Sequence, residues 1–392
     1  MGNITTEAWV LYAGNNPPKP EPAELKPAEL KKESFSFADI TESEVLAEPI
    51  YGCWEGNMTH ALQRLPVDIC KQRKENPVVL GNAGVVRILK TGRSVTTVQP
   101  GDLCVIFCNG VWDKFGYPEK ILAYDAPNTM GCLAKQMKLH EKQVILLPEN
   151  TDFSLKQWAA FSLRYITAWA NWKLAYGCWR VQMTEEDCPA PFVWGWGGGV
   201  SIAELSLAQF QGARVAMIAS DDKRLKLIES MRIKPIDRRK FPDLEYDEDK
   251  YQTDPVYKKK YTESEEIFLD IVKKHTLGLG VSIFIDYVGS PVTRATLRAL
   301  ARQGVVTTAG WKEGMKITTV RAIECIQRHI HIHTHYARYP QGRSAVRFAE
   351  DTGWLPKIDG EVYSWDNIPQ LAYDYTNGKI SNYYPLFEIN MP

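Results

Sequence analysis

This chain lacks several features that would otherwise set its class. Its eight cysteines contain no C-x-x-C pair, and the nearest two, Cys104 and Cys108, sit inside the apolar run DLCVIFC. Such thiols fit a reduced, packed interior better than an oxidised framework. Excess charge is lacking too: Lys plus Arg and Asp plus Glu both number 47. No overall field therefore draws the chain to nucleic acid or an anionic membrane, and a small-molecule partner becomes the expectation. There is no N-terminal apolar stretch and no apolar run of about 18 residues, so a cytoplasmic chain without a membrane span is expected. At 392 residues it is too long for one ordinary core, and two domains are expected.

Histidine is scarce as well, yet four of the seven stand on alternate positions: His329, His331, His333 and His335. Alternation is a strand signal, because residues two apart share a face. The four would line one face, with Ile330 and Ile332 on the other, and a metal site is the immediate reading. Same-face neighbours lie roughly 6.5 to 7 Å apart at the backbone, so two imidazoles share an ion only by leaning together.

The order of patterns predicts two architectures in series. A strand-like start, Ala8 to Tyr12, runs into the proline-rich stretch NNPPKPEPAELKPAELKK, read as a solvated extended loop with a short PAEL doublet. Strand-like pieces follow (SFSFADI, EVLAEPIYG, GNAGVVRILK, CVIFC), separated by Gly, Pro and Asn, which predicts a mostly β, barrel-like domain. From about Leu155 apolar residues fall at helical spacing. Strands and helices then alternate through PFVWGWGGG, IAELSLAQFQ, RVAMIAS, KRLKLIESM, SIFIDYVG, PVTRATLRALARQ and VVTTAG. That alternation predicts a parallel sheet covered on both faces. The charged, proline-broken residues 236 to 262 read as a surface insertion, and from about Tyr336 the sequence returns to a mixed, aromatic-rich tail.

The strongest chemical signal is the run from Pro191 to Ser201, PFVWGWGGGVS, which follows a strand and opens a helix. Gly195, Gly197, Gly198 and Gly199, with Val200 where a third spaced glycine is usual, would let a dinucleotide pyrophosphate approach the backbone. Amide N–H groups at the helix start would supply partial positive charge. The next strand ends Ser220-Asp221-Asp222-Lys223-Arg224. An acid there would take the ribose hydroxyls of NAD, whereas Ser220 with Lys223 and Arg224 would accommodate the 2′-phosphate of NADPH. The reading leans to NADPH; in the plainer alternative, Asp221 or Asp222 caps the helix and the basic pair is solvated.

Taken together, a β domain, a dinucleotide-binding domain and a return segment resemble the medium-chain dehydrogenase/reductase superfamily. The resemblance is carried by Gly81-Asn82-Ala83-Gly84-Val85-Val86, Val98-Gln99-Pro100-Gly101-Asp102, PFVWGWGGGV and VYSWDNIPQLAYDYTNGK. Within it the chain resembles in particular the crotonyl-CoA carboxylase/reductase group of enoyl-thioester reductases. That likeness runs through LAYDAP (122–127) with GCLA (131–134), FSLRYITAW (161–169) and THYARY (334–339). The resemblance implies an α/β fold: a GroES-like β-barrel catalytic domain over 1–165 with the return segment 336–392, and a Rossmann doubly wound parallel-sheet NADP-binding domain over 166–335. It also implies a homodimer or homotetramer built through the last Rossmann strand, near Ile323 to His333. His329, His331 and His333 would then lie near a subunit contact, leaving His335 beside the substrate.

The zinc enzymes of this superfamily need a cysteine, a histidine and a further cysteine or acid. Cys53 resembles the first ligand, but the Gly-His-Glu position reads Gly81-Asn82-Ala83, the later ligand region reads Ser162-Leu163-Arg164, and the four-cysteine lobe is missing. A zinc-independent enzyme is expected, with the carbonyl polarised by hydrogen bonds. The implied reaction is hydride transfer from NADPH to the β-carbon of a 2-enoyl thioester on CoA or an acyl-carrier protein, followed by protonation of the enolate or its attack on carbon dioxide. The group's carbon dioxide pocket maps to Tyr124, Asp125 and His335, while its asparagine falls near Gly52, which leaves carboxylation open. Tyr51 reads as proton donor or nicotinamide-side wall against a packed tyrosine, and Arg164 as a partner for an anionic substrate group against a surface ion pair. Thr308, with Thr307 and Ala309, closes the strand where the carboxamide of the nicotinamide usually finds partners. Asp286 lines the cofactor cleft or caps a helix. Arg338, Arg343 and Arg347 meet carrier phosphates or solvent. Twelve tryptophans, Trp54, Trp194, Trp196 and Trp311 among them, suggest an apolar cleft or simply core. A zinc-independent quinone or carbonyl reductase and a catalytically degenerate cofactor-binding protein stand as alternatives.

Overall fold

The computed structural model describes residues 2–13, 27–310 and 318–391. Residues 14–26, with most of the proline-rich stretch, and Trp311 lie outside them. The chain forms two compact units, one of 1–166 with 337–392, the other of 167–336.

The first unit is built on antiparallel strands. One sheet runs in the order Val144–Leu146, Leu103–Ile106, Gly84–Thr91, Glu44–Cys53, Leu386–Glu388, with Met137–His140 also paired to Glu44–Cys53. A second runs Glu29–Ala38, Asn3–Tyr12, Val78–Val79. Period-two patterning explains the first sheet: Val45 and Ala47 are buried while Glu44, Leu46 and Glu48 between them are half-exposed. The last two residues of the PAEL doublet, Glu29 and Leu30, begin a strand instead of extending the loop. Facing residues of both sheets, among them Trp9, Val10, Val86, Ile88, Met137 and Phe387, make one core. Helix Leu155–Phe161 starts at a reciprocal cap, where the Ser154 hydroxyl accepts from the Gln157 N–H and the Gln157 side chain accepts from Ser154. It carries Trp158 and Phe161 into a fully buried edge-to-face contact, centroids 5.1 Å apart.

The second unit is a six-stranded parallel sheet ordered Lys234–Asp237, Arg214–Ala219, Phe192–Trp196, Val281–Asp286, Leu300–Thr307, His331–His333. In chain order this is 3-2-1-4-5-6, the doubly wound arrangement whose order reverses beside the first strand, where ligands of such sheets bind. Phe192–Trp196 and Val281–Asp286 are buried along their whole length, as strands covered on both faces must be. The α/β class, with a curled antiparallel sheet in one unit and a parallel sheet in the other, is the one expected.

Two local expectations change. Residues 236 to 262, read as a surface insertion, are ordered as helix Glu248–Thr253 and the start of helix Pro255–His275, capped by Asp247 and Asp254. Tyr246, just before them, and Tyr251, in the first of them, flank a cation, the Arg294 guanidinium lying 4.6 Å and 4.7 Å from their ring centroids. Buried Glu265 accepts from Arg298 at 2.6 Å and Arg294 at 3.4 Å. The histidine strand is shorter than its alternation suggests. Arg328 donates to the carbonyls of Leu297 and Leu300, His329 has φ +53°, and pairing begins only at His331. Hence His329 leaves the common face and meets Arg302, His331 meets Gln182, and burial with neighbouring His335 and His331 pulls the pKa of His333 down to about 4.

Glu265→Ala should lower stability by about 1–2 kcal/mol, the loss of a charged hydrogen bond discounted for the partly exposed arginines. Urea unfolding of the two proteins checks this, and an unchanged midpoint would mean that the helices are held without Glu265.

Candidate active site

Three segments that carry metal in zinc dehydrogenases converge in the first unit. The Cys53 N–H donates to the Ala83 carbonyl (3.1 Å), the Gly84 N–H donates to the Ser162 hydroxyl (2.9 Å), and Cys132 Sγ donates to Ala83 (3.6 Å). Gly81, at φ +107°, leaves no room for a Cβ, which would lie 2.7 Å from Cys132 Sγ.

At their centre lies Arg164, 4% exposed. Its guanidinium donates to Glu55 Oε2 (2.9 Å), to the Trp54 carbonyl (2.7 Å) and to the Tyr383 carbonyl. The cation is thus wholly engaged by its own chain, neither at the surface nor turned to a substrate anion. Burial pushes the Glu55 carboxyl up, against the lowering pull of Arg164. Burial likewise raises the Cys53 thiol, which disfavours the thiolate a metal needs. A guanidinium already occupies the electrostatic role, and the donor set offers no imidazole, so these residues do not fit a catalytic zinc. Among the described residues no three His, Cys, Asp or Glu side chains are grouped to hold a metal.

Tyr51, on strand Glu44–Cys53, is 6% exposed, has Lys156 Nζ 5.6 Å from its ring centroid, and has its pKa raised by burial and by the Glu388 carboxylate. Next to it, Gly52 lies under Phe387: a Cβ at 52 would fall 2.2 Å from the ring. Tyr124 is buried, and Arg73 donates to its carbonyl (3.4 Å). Asp125 Oδ1 accepts from the Ile121 N–H (2.6 Å), a turn-closing role. Arg338 sits over the Tyr117 ring at 4.9 Å, while Arg343 and Arg347 are exposed one turn apart on helix Tyr339–Thr352.

In the second unit, Gly195 lies in strand Phe192–Trp196, Gly197 turns at φ +128°, and helix Gly199–Phe210 starts immediately, with Gly198 as its cap and Val200 in its first turn. A Cβ at Gly197 would sit 2.6 Å from Ser201 Oγ and 3.0 Å from Tyr287 Cβ. Buried Ser201 is the residue that packs the helix to the turn, donating to the Trp196 carbonyl (2.9 Å). Ser220 follows strand Arg214–Ala219 directly and is exposed, as is Lys223; Arg224 is half-buried. Asp221 is spent as a cap, its Oδ1 accepting from the Arg224 N–H (2.9 Å). Arg239, which the sequence did not single out, reaches the same place and donates to Asp222 (2.7 Å). The register Ala219↔Asp237 brings it there. Asp286, 3% exposed, accepts from the N–H groups of Val288 and Gly289 in the turn before helix Ser290–Ala299 and from Thr296 Oγ1 within it, without capping that helix. Thr308 donates its N–H to the His333 carbonyl (3.1 Å), and the His335 backbone is bound by Asn171.

Sequence reasoning also missed Glu204, although an acid inside the apolar helix run SIAELSLAQF is a visible anomaly. It is fully buried, accepts from Tyr287 Oη (2.9 Å), and burial pushes its pKa well above the usual range, against the lowering pull of Tyr287 and Thr307. The folded chain therefore holds a proton that the unfolded chain releases above about pH 4.5. The stability this contributes is full below that pH and is lost as pH rises through the folded value. Glu204→Gln, neutral at every pH, should gain in Tm relative to the parent as pH rises from about 5 to about 9. A constant difference across that range would show that Glu204 is ionised in the fold.

No family model matches the sequence, and no curated protein does. Solved structures do match in fold. A crotonyl-CoA carboxylase/reductase, AntE in complex with NADP, superposes with a TM-score of 0.77 at 17% identity, over 99% of this chain and 95% of that one. The 2-octenoyl-CoA carboxylase reductase CinF, in complex with NADP and 2-octenoyl-CoA, gives 0.76 at 16% identity over 98% and 87%. A thermostable alcohol dehydrogenase from Pyrobaculum aerophilum gives 0.72 at 16% identity over 98% and 100%. From end to end, the chain has the fold of the medium-chain dehydrogenases and reductases, shared with carboxylase/reductases and alcohol dehydrogenases alike.

Proposed function

We propose that this chain is an NADPH-dependent, zinc-independent reductase of 2-enoyl thioesters carried on CoA or an acyl-carrier protein. The observation that carries the reading is the closed arrangement around Arg164, a buried cation where alcohol dehydrogenases of this fold place metal ligands. Without a Lewis acid, a carbonyl is polarised only by hydrogen bonds, and reduction of a conjugated alkene becomes the natural chemistry. The structural likeness to NADP-bound carboxylase/reductases supports it.

When bound, NADPH supplies hydride to the β-carbon of the enoyl thioester. The chain's own residues do the rest. Amides from Gly197 to Val200 at the helix start receive the pyrophosphate. Ser220, Lys223 and Arg224 take the 2′-phosphate, since Asp221 is committed to its cap. Thr308 lies on the nicotinamide side. His335 hydrogen-bonds the substrate, and Tyr51 is the proton donor, held protonated by burial and by Glu388. Tyr124 walls the substrate, and Asp125 holds the turn that presents it. Arg338, Arg343 and Arg347 meet the carrier phosphates. With the place beside Gly52 filled by Phe387, simple reduction is favoured over carboxylation. The enzyme works in the cytoplasm as a homodimer or homotetramer joined along the edge strand His331–His333.

Purified protein should oxidise NADPH with crotonyl-CoA and give butyryl-CoA whether or not bicarbonate is added. Ethylmalonyl-CoA would show that carbon dioxide is used. Turnover on benzoquinone but on no enoyl thioester would make the chain a quinone reductase, and binding without oxidation a degenerate one. Lys223→Glu should raise the KM for NADPH about tenfold, a partly exposed charged hydrogen bond, with little change for NADH. Equal effects on both nucleotides would contradict a 2′-phosphate contact.

A further inference from the structure

The strand that should carry His335 stops at His333, so another element must fix this residue. Asn171 does so. It is fully buried in helix Arg164–Gln182, within the apolar run TAWANWKLAYG. Its carboxamide bonds both backbone groups of His335: Oδ1 accepts the N–H (3.1 Å) and Nδ2 donates to the carbonyl (2.8 Å). The second Nδ2 hydrogen goes to the Thr167 carbonyl (3.1 Å), and the second Oδ1 lone pair accepts from Thr307 Oγ1 (3.3 Å). Every donor and acceptor the amide possesses is used. Fully buried Thr307, at the end of strand Leu300–Thr307, lies within hydrogen-bonding reach of Glu204, which Tyr287 also binds.

An amide that matches the N–H and C=O of one residue reproduces a step of strand pairing and leaves that residue no freedom to shift along its own direction. It also anchors the same residue to the strand end that precedes Thr308. We propose that Asn171 is the positioning residue for His335, setting where its imidazole stands relative to the strand end Thr307–Thr308. This rests on the reading of His335 as a substrate-binding group given above. No other residue type supplies two acceptor lone pairs and two donors at this reach. Leucine or alanine leaves buried backbone groups unpaired, and aspartate turns an oxygen against the carbonyls of Thr167 and His335.

The test is a double-substitution cycle with crotonyl-CoA and NADPH on the full-length protein. Asn171→Ala should lower kcat about 10²-fold, the cost of displacing a reacting-site group by about 1 Å, with the Kd for NADPH within about twofold of the parent. On a His335→Gln background the same substitution should cost less than about twofold, because the group it positions is gone. An equal loss on both backgrounds, or no loss on the parent, overturns the proposal. A general weakening of the fold would lower kcat equally on both. Should the alanine variant not fold, Asn171→Asp is read in the same way. If the parent reduces no enoyl thioester, the functional reading fails on its own. The clamp is then judged by NMR of 13Cε1-labelled histidine: Asn171→Ala should move the His335 resonance and leave that of His60, which belongs to the other unit, in place. An unmoved His335 resonance overturns it.

Discussion

A guanidinium cannot be taken out of water unless its charge is met and its donors are used. That requirement, imposed by Arg164, organises the first unit. Its partners come from separate stretches of sequence: Glu55 and the Trp54 carbonyl just past one strand, and the Tyr383 carbonyl in the C-terminal return segment. Satisfying one side chain therefore fixes a strand end, a helix start and the path of the tail. The same requirement has a chemical consequence. Under the proposed zinc-independent reading this fixed organic cation takes the place of a metal, and burial holds the thiol beside it protonated.

The second unit obeys a matching rule for neutral polar groups. Thr307 and Asn171 are each fully buried, and hydrogen bonds join them to the backbone of His335, while fully buried Glu204 accepts from Tyr287. Such networks hold one arrangement when every member is satisfied and are costly when one is not. The glycine turn adds steric constraints, since Ser201 and Tyr287 fill the space any side chain at Gly197 would need.

Much of this was legible in the sequence. Short strand-like pieces set off by Gly, Pro and Asn marked the strands of the first unit, and alternation of strand and helix marked the parallel sheet. The run PFVWGWGGGV was readable because a strand, a turn and a helix each leave their own signature. What was not legible depended on contacts distant in sequence. The alternating histidines suggested one long strand, but Arg328, bonded to Leu297 and Leu300, delays pairing until His331. Within residues 236 to 262, read as a surface insertion, no helix was foreseen because Asp and Pro break patterns. Here they begin helices, with Asp254 as cap and Pro255 in the first turn. Arg164 was visible as a residue, but whether it faced substrate, solvent or core depended on Glu55, 109 positions away. Glu204 was visible as an acid among apolar letters, whereas Asn171 was one polar residue among several in its helix, and its partners are set by the fold.

The central claim of the proposed function is that its chemistry relies on hydrogen bonds beside a buried Arg164–Glu55 pair, with no metal. Metal analysis of protein purified in the presence of zinc, together with enoyl-thioester reduction before and after treatment with a strong chelator, tests it most directly. The account predicts no stoichiometric zinc and unchanged turnover. One zinc per chain, lost to the chelator along with activity and no longer bound after Cys53→Ser, would contradict it.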